Sequence, residues 1–273
     1  MAKKRTKNTS GNVLSDTEIL KKLHNLGYFG SQSWSQVRRI SKKALAKAIK
    51  EYQNFHGIAP TGIVEVRTAH ELSRHRCGLP DFNLSAPGEP CKWPMRKITY
   101  YSELNLPGIT DVQAALAFDA AAMQWASVCD IEPVRVDSHK IADIYARSGS
   151  GRSVNLDDRG GTLAWSELPC GVHENIQLDQ MYDEAESWSF DMAVAVICHE
   201  LGHALGLPHL NAGNLMAPYY DPNVTKPQEG DIDEIVKLYG APKIVAQSSA
   251  AEAVDISGVI TINGKPYRLI PQF

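Results

Sequence analysis

Eleven residues, HELGHALGLPH at 199–209, restrict what this chain can fold into more than any other feature of it. His199 and His203 stand four apart, and on a helix that spacing returns both imidazoles to one face, about one turn apart. Glu200 borders that face. A third imidazole cannot come from the same helix without leaving the face, so the chain has to bend. Gly206 supplies the freedom to turn, and His209 is brought round to the same point. Three neutral imidazoles hold zinc tetrahedrally and leave a fourth position open to water, whose pKa the metal lowers toward ~7. Zinc also polarises a carbonyl, and Glu200 can take the water's proton and pass it to a leaving amine. The chemistry indicated is hydrolysis of peptide bonds.

The rest of the chain falls into segments. Residues 1–12 form a polar tail with Lys3, Lys4, Arg5 and Lys7, expected to be disordered. A small helical unit follows. Ser15 and Glu18 make a capping box ahead of Ile19, Leu20, Leu23 and Leu26, and Ala44, Leu45, Ala48, Ile49, Tyr52 and Phe55 recur at helical spacing. Around residues 81–95 the composition turns to Pro, Gly, Ser and Asn, as in an exposed linker that a protease can cut. From residue 96 to 241 a strand at ITYY, a helix over 111–128, strands near 132–136, 141–146 and 175–178, a helix capped by Ser189 and a last helix at DIDEIVKLYG predict an α+β or α/β sheet with helical cover. The segment 242–273 reads as a spacer and a hairpin turning at Asn263-Gly264.

The net charge of −3 gives no reason to expect nucleic acid as a partner. No apolar run of 18 residues predicts a membrane span, and the basic start is not followed by the apolar core of a signal peptide. Five cysteines, Cys77, Cys91, Cys129, Cys170 and Cys198, are an odd number, so at least one is unpaired or does chemistry. Cys198 reads as a small buried hydrophobe.

Met216, in NLMAPYY seven residues past His209, makes the chain resemble the metzincin clan of metallopeptidases, whose Met-containing turn lies beneath the zinc. Pro218 and Tyr220 resemble the pocket wall of its matrixin (matrix metalloproteinase) branch. HRCGLPDF at 75–82 is similar to the PRCGxPD switch of the matrixin propeptide, KWPMRKITYY to the first catalytic strand, DDRGGTLAW to the calcium loop and edge strand, and DIDEIVKLYG to the last helix. Residues 13–80 look like the peptidoglycan-binding-like helical propeptide. The resemblance implies a metzincin-like α+β domain and a latent zinc endopeptidase in which the Cys77 thiolate takes the fourth zinc position and Arg76 pairs with Asp81. His75 stands where the family has Pro. For Cys77 a structural thiol or a disulfide with Cys91 remains open, and so does a Cys129–Cys170 disulfide.

Further expectations rest on the same resemblance. Trp165 and Gln177 replace histidines of the family's second zinc site, which is expected to be missing. Calcium is expected at Asp157, the carbonyls near Gly160, Asp179, and Glu184 or Glu186. Gly161, Leu163 and Ala164 would pair with an extended protein or peptide substrate, and Ala195, with Pro218 and Tyr220, would line a deep pocket for a long apolar side chain. The last thirty or so residues leave no room for a hemopexin-like propeller. A monomer, activated by another protease, is expected; the family suggests a secreted protein. The alternative is a cell-wall-targeted protein whose N-terminal unit binds peptidoglycan.

Overall fold

The structure, a computed structural model, describes residues 14–81, 91–151, 154, 156, 159–170, 177–243, 259–262 and 265–268. The expectations for the 1–12 tail, Asp157, most of the linker and the Asn263-Gly264 turn fall outside them. The chain divides into two compact units, Met1–Pro242 and Lys243–Phe273. In the second, β-strands at Val259–Ile262 and Lys265–Arg268 pair antiparallel, with Ile262 opposite Lys265.

The first unit begins with four helices: α1 (Asp16–Asn25), α2 (Trp34–Val37), α3 (Lys42–Phe55) and α4 (Val66–Glu71). The capping box forms as written in the sequence, with Ser15 Oγ accepting from Glu18 N–H and Glu18 Oε2 from Ser15 N–H at 2.6 Å. Ile19, Leu23, Leu26, Tyr28, Ala48, Ile49, Tyr52 and Leu72 make the core. Ala44 and Phe55, at the two ends of the α3 stripe, are exposed, because so small a core does not reach the full length of the helix.

Next come β1 (Arg76–Cys77), β2 (Lys97–Glu103), α5 (Asp111–Ala126), β3 (Glu132–Arg135), β4 (Ile144–Gly149), β5 (Thr162–Ser166), β6 (Leu178–Asp183), α6 (Phe190–Ala204) and α7 (Glu229–Tyr239). The expected 141–146 strand starts three residues later, since His139–Ile141 closes into a 3₁₀ turn and Asp143 accepts from Thr99 N–H at 2.7 Å. The expected 175–178 strand runs instead from Leu178. Six strands form one sheet in the order β1-β5-β6-β4-β2-β3, parallel except for β5 against β6. β2 and β3 lie side by side in parallel, so the chain between them has to cross over, and α5 is that crossover.

Helices α5 and α6 share the core. Ala114, Ala117, Ala121 and Ala122 keep the α5 face low enough for close approach, and Trp125 donates its indole N–H to Cys198 O at 2.8 Å. Cys198 is fully buried, as a small apolar residue would be. Cys91 and Cys170 form a disulfide, while Cys77, Cys129 and Cys198 are free. That corrects the Cys129–Cys170 alternative: Cys129 is buried after α5, with its thiol on Trp125 O at 3.3 Å. It also corrects the 81–95 linker at its C-terminal end. Cys91 is covalently anchored and Trp93 is buried, donating to Ala204 O at 2.7 Å.

Candidate active site

Helix α6 starts at the predicted cap, Ser189, whose Oγ accepts from Met192 N–H at 3.2 Å, and ends after His203. The turn that follows needs glycine twice over at Gly206. Its φ is +104°, and a Cβ there would stand 1.7 Å from Cys91 O. The reversal returns His209 to its partners. Behind the helix, Met216 is fully buried against Gly202, where a Cβ would lie 2.3 Å from the methionine sulfur. Met216 is thus a packed floor, and Asp231 of α7 fixes it by accepting from Leu215 N–H at 2.7 Å and Met216 N–H at 3.0 Å.

One donor atom from each of Cys77, His199, His203 and His209 lies within 4.8 Å of the other three, the only such group of three or more among the described residues. The hydrogen bonds test whether a metal fits. His199 and His203 donate Nδ1–H to Leu215 O and Leu207 O, each at 2.7 Å, which leaves a lone pair on each Nε2. Those two Nε2 atoms face each other at 3.0 Å, and both ring nitrogens of His209 are buried without a hydrogen-bond partner. Two lone pairs at that distance repel, and each buried nitrogen left unpartnered costs about 1–3 kcal/mol. A shared cation relieves both, and three imidazoles with one thiol are a zinc set.

Burial suits the donors to this task. It lowers His199 to about 4 and His203 and His209 well below the ordinary histidine value, so the rings are neutral and can ligate. It pushes the Cys77 thiol well up, an effect a bound metal ion reverses. Glu200, fully buried, is raised by burial to about 8; its Oε2 faces Cys77 Sγ at 3.6 Å.

The cysteine arrives on β1, which lies parallel to β5 in the register Arg76 to Thr162 and Cys77 to Ala164. Arg76 N–H donates to Gly161 O at 3.2 Å and Gly78 N–H to Ala164 O at 2.7 Å; on the other side Cys77 N–H reaches Pro218 O at 3.0 Å and Tyr220 N–H reaches His75 O at 3.2 Å. Gly161, Ala164, Pro218 and Tyr220 therefore hold an extended segment between them, and that segment is the chain's own. Leu163, Ala195, Leu215, Tyr220 and Val224 line a pocket beside it. Arg76 forms an ion pair with Asp81, whose Oδ2 also accepts from Tyr28 O–H at 2.6 Å and lies 3.2 Å from His56 Nε2. Tyr219 O–H meets Tyr52 O–H at 2.7 Å.

Among the described residues, the carboxylates expected to hold calcium have separate partners. Asp179 pairs with Arg147 at 2.8 Å, and Glu184 is half-exposed near Ser150. Gly160 N–H instead donates to Glu186, which is 3% exposed. Glu186 lies just past Asp183, and four residues of strand put Asp179 about 13 Å from Asp183. Trp165, which stands in place of a second-site histidine of the family, donates its indole N–H to Val154 O, and Gln177, in place of another, its amide to Ala142 O at 2.8 Å.

The sequence model of the matrixin family matches residues 92–240, more than half of the chain. The chain belongs to the matrixins. A second model, for a peptidoglycan binding domain, matches residues 17–72. The chain is 32% identical over 229 residues to macrophage metalloelastase of Rattus norvegicus, covering 79% of this chain and 48% of that protein. It is 33% identical over 229 residues to matrix metalloproteinase-20 of Homo sapiens, covering 79% and 46%, and 29% identical over 261 residues to interstitial collagenase of Sus scrofa, covering 91% and 54%. The chain thus spans about half the length of the relatives it matches. Matrixins are zinc metalloendopeptidases that also carry calcium.

The roles of Asp231, Tyr219, Tyr52 and His56 and the Cys91–Cys170 bond have no signal in the sequence. Asp231 reads in the sequence as an ordinary acidic first turn. The others act through partners up to 167 residues away, which no local pattern announces.

Proposed function

We propose that this matrixin is a latent zinc endopeptidase held inactive by its own residue Cys77. The convergence of Cys77 Sγ with His199, His203 and His209 carries the reading. Zinc held by these donors supplies a charge that acidifies water and polarises a carbonyl. Everything else is done by the chain. Arg76, Cys77 and Gly78 fill the groove where β5 and Pro218–Tyr220 would hold an extended substrate. Once a protease has cut the linker and this segment has left, Glu200 Oε2 faces the position that the sulfur held. It takes a proton from water there and hands it to the departing amine. The Leu215 and Leu207 carbonyls keep His199 and His203 in the ligating tautomer throughout. Calcium, where bound, would be served by the loop at Gly160 with Glu186.

The purified full chain tests this. It should contain about one zinc, show little activity on casein, gain activity after limited proteolysis in residues 82–90 or treatment with a mercurial, and lose that activity in Glu200→Ala. Activity that survives Glu200→Ala would sink the mechanism.

The match at 17–72 supports a second reading, in which the helical unit binds peptidoglycan. Sedimentation of the full chain with isolated cell walls decides it, since a unit that serves only as propeptide stays in solution.

A further inference from the structure

Charge is spread unevenly along the chain. Residues 91–242 carry 22 Asp and Glu against 10 Lys and Arg, whereas residues 1–90 carry 7 against 15. Opposite charge on this scale draws two surfaces together at long range. The cleft shows how they meet at short range. Arg74, His75 and Arg76 run through it, and their side chains lie on groups that stay behind when residues 1–90 are removed. The guanidinium carbon of Arg74 is 4.4 Å from the centre of the Tyr219 ring and that of Arg76 is 5.2 Å. His75 Nδ1 is 3.7 Å from Glu186 Oε1. Tyr219 and Asp221 line the same pocket as Glu200.

A guanidinium within about 6 Å of a tyrosine centroid is drawn to the ring face, most strongly where water is excluded, and Tyr219 is 9% exposed. The carboxylates that pair with Arg74 and Arg76, Glu71 and Asp81, belong to the departing segment. What stays is an uncovered aromatic face with Asp221 beside it, next to the metal donors, on a strongly acidic part of the chain. We infer that the released catalytic part selects cationic polypeptides, and that Tyr219 is the specificity-determining residue, taking a substrate Arg or Lys on the ring face that Arg74 and Arg76 cover in the latent chain. This rests on the peptidase reading above. Asp221 adds a charge at the same wall and Glu186 another where His75 lies.

Proteolytically released, zinc-loaded enzyme is the material for the test. Peptides identical except for Arg, Lys, citrulline or Gln at each position from three before to three after the cleaved bond are compared by kcat/KM. At one position Arg and Lys should exceed their neutral counterparts about five- to thirtyfold, by less at high salt. That ratio should collapse toward one in Tyr219→Leu and persist in Tyr219→Phe, with zinc content checking that each variant is folded. Asp221→Asn should lower the ratio about two- to fivefold, which serves if Tyr219→Leu does not fold. Equal cleavage of cationic and neutral peptides at every position overturns the inference and leaves the peptidase reading standing. So does a cationic preference unchanged in Tyr219→Leu. Cleavage of no peptide at all overturns the peptidase reading, and this inference with it.

Discussion

Replacing Asp81 by Asn should open the latent state without touching the catalytic residues. The Asp81 side chain is fully buried and takes Arg76, Tyr28 O–H at 2.6 Å and His56 at 3.2 Å; Arg76 in turn donates Nε–H to Cys77 O at 3.1 Å. The chain from Arg76 to Asp81 is therefore tied into a loop whose shape aims the sulfur. Removing one partner of a buried ion pair leaves the other charge uncompensated and costs about 3–5 kcal/mol. Asp81 N–H still holds Leu26 O at 3.1 Å, so the loop loosens while its end stays anchored. Were all of that cost felt by the closed loop, its opening would rise by about two to four orders of magnitude. The assay is alkylation of Cys77 in the uncut, zinc-loaded chain, followed by mass spectrometry, alongside casein hydrolysis before and after linker cleavage. Labelling should accelerate at least tenfold and the uncut chain should become active. The cleaved enzyme should match wild type, because Asp81 has gone from both. Labelling within threefold of wild type would refute the claim that this pair shapes the switch.

Acid should act through the same carboxylate. Burial works to raise Asp81, but Arg76 and the His56 hydrogen bond prevail and hold it below its ordinary value near 4. A depressed folded pKa stabilises the closed loop above the unfolded value, and that contribution is lost as pH falls through the folded one. Cys77 labelling in wild type should therefore rise below about pH 4, and an Asp81→Asn chain should lack the Asp81 part of that rise. Asp231→Ala removes the acceptor of the Leu215, Met216 and Gln228 N–H groups, and should lower unfolding free energy by about 3 kcal/mol in urea titration. Because Leu215 O holds His199, zinc affinity should fall as well. Replacing Cys91 and Cys170 by Ser opens a loop of 79 residues and should cost about 4 kcal/mol of thermal stability. Latency should be unchanged, since neither cysteine touches the switch.

What could be read from the sequence and what could not divide along one physical line. HELGHALGLPH, Ser189, and Ser15 with Glu18 each state a local requirement: a helical face with a backbone turn, or a cap. Each is met within a few residues, so the sequence carries it whole. The carboxylates expected to hold calcium show where this stops. Asp179 and Glu186 are both acidic residues in one short stretch, and only the strand's length separates the one that faces Arg147 from the one that faces Gly160. The same holds for cysteine pairing. Cys91 and Cys129 are equally anonymous in sequence, and burial after α5 removes Cys129 while Cys91 meets Cys170. The proposed latency would combine the two kinds of information. RCGLPD fixes the shape of its loop locally, through Arg76 and Asp81. The strength with which that loop is seated comes from Tyr28, Tyr52 and His56 on one side and Tyr219 on the other, four residues outside RCGLPD. A variant that keeps RCGLPD intact but carries Tyr52→Phe should therefore keep the loop's shape and loosen its seat. Its Cys77 labelling should rise by about three- to tenfold, the value of one buried hydrogen bond, with the cleaved enzyme unaltered. Labelling equal to wild type would mean that the loop alone holds the sulfur on the metal donors.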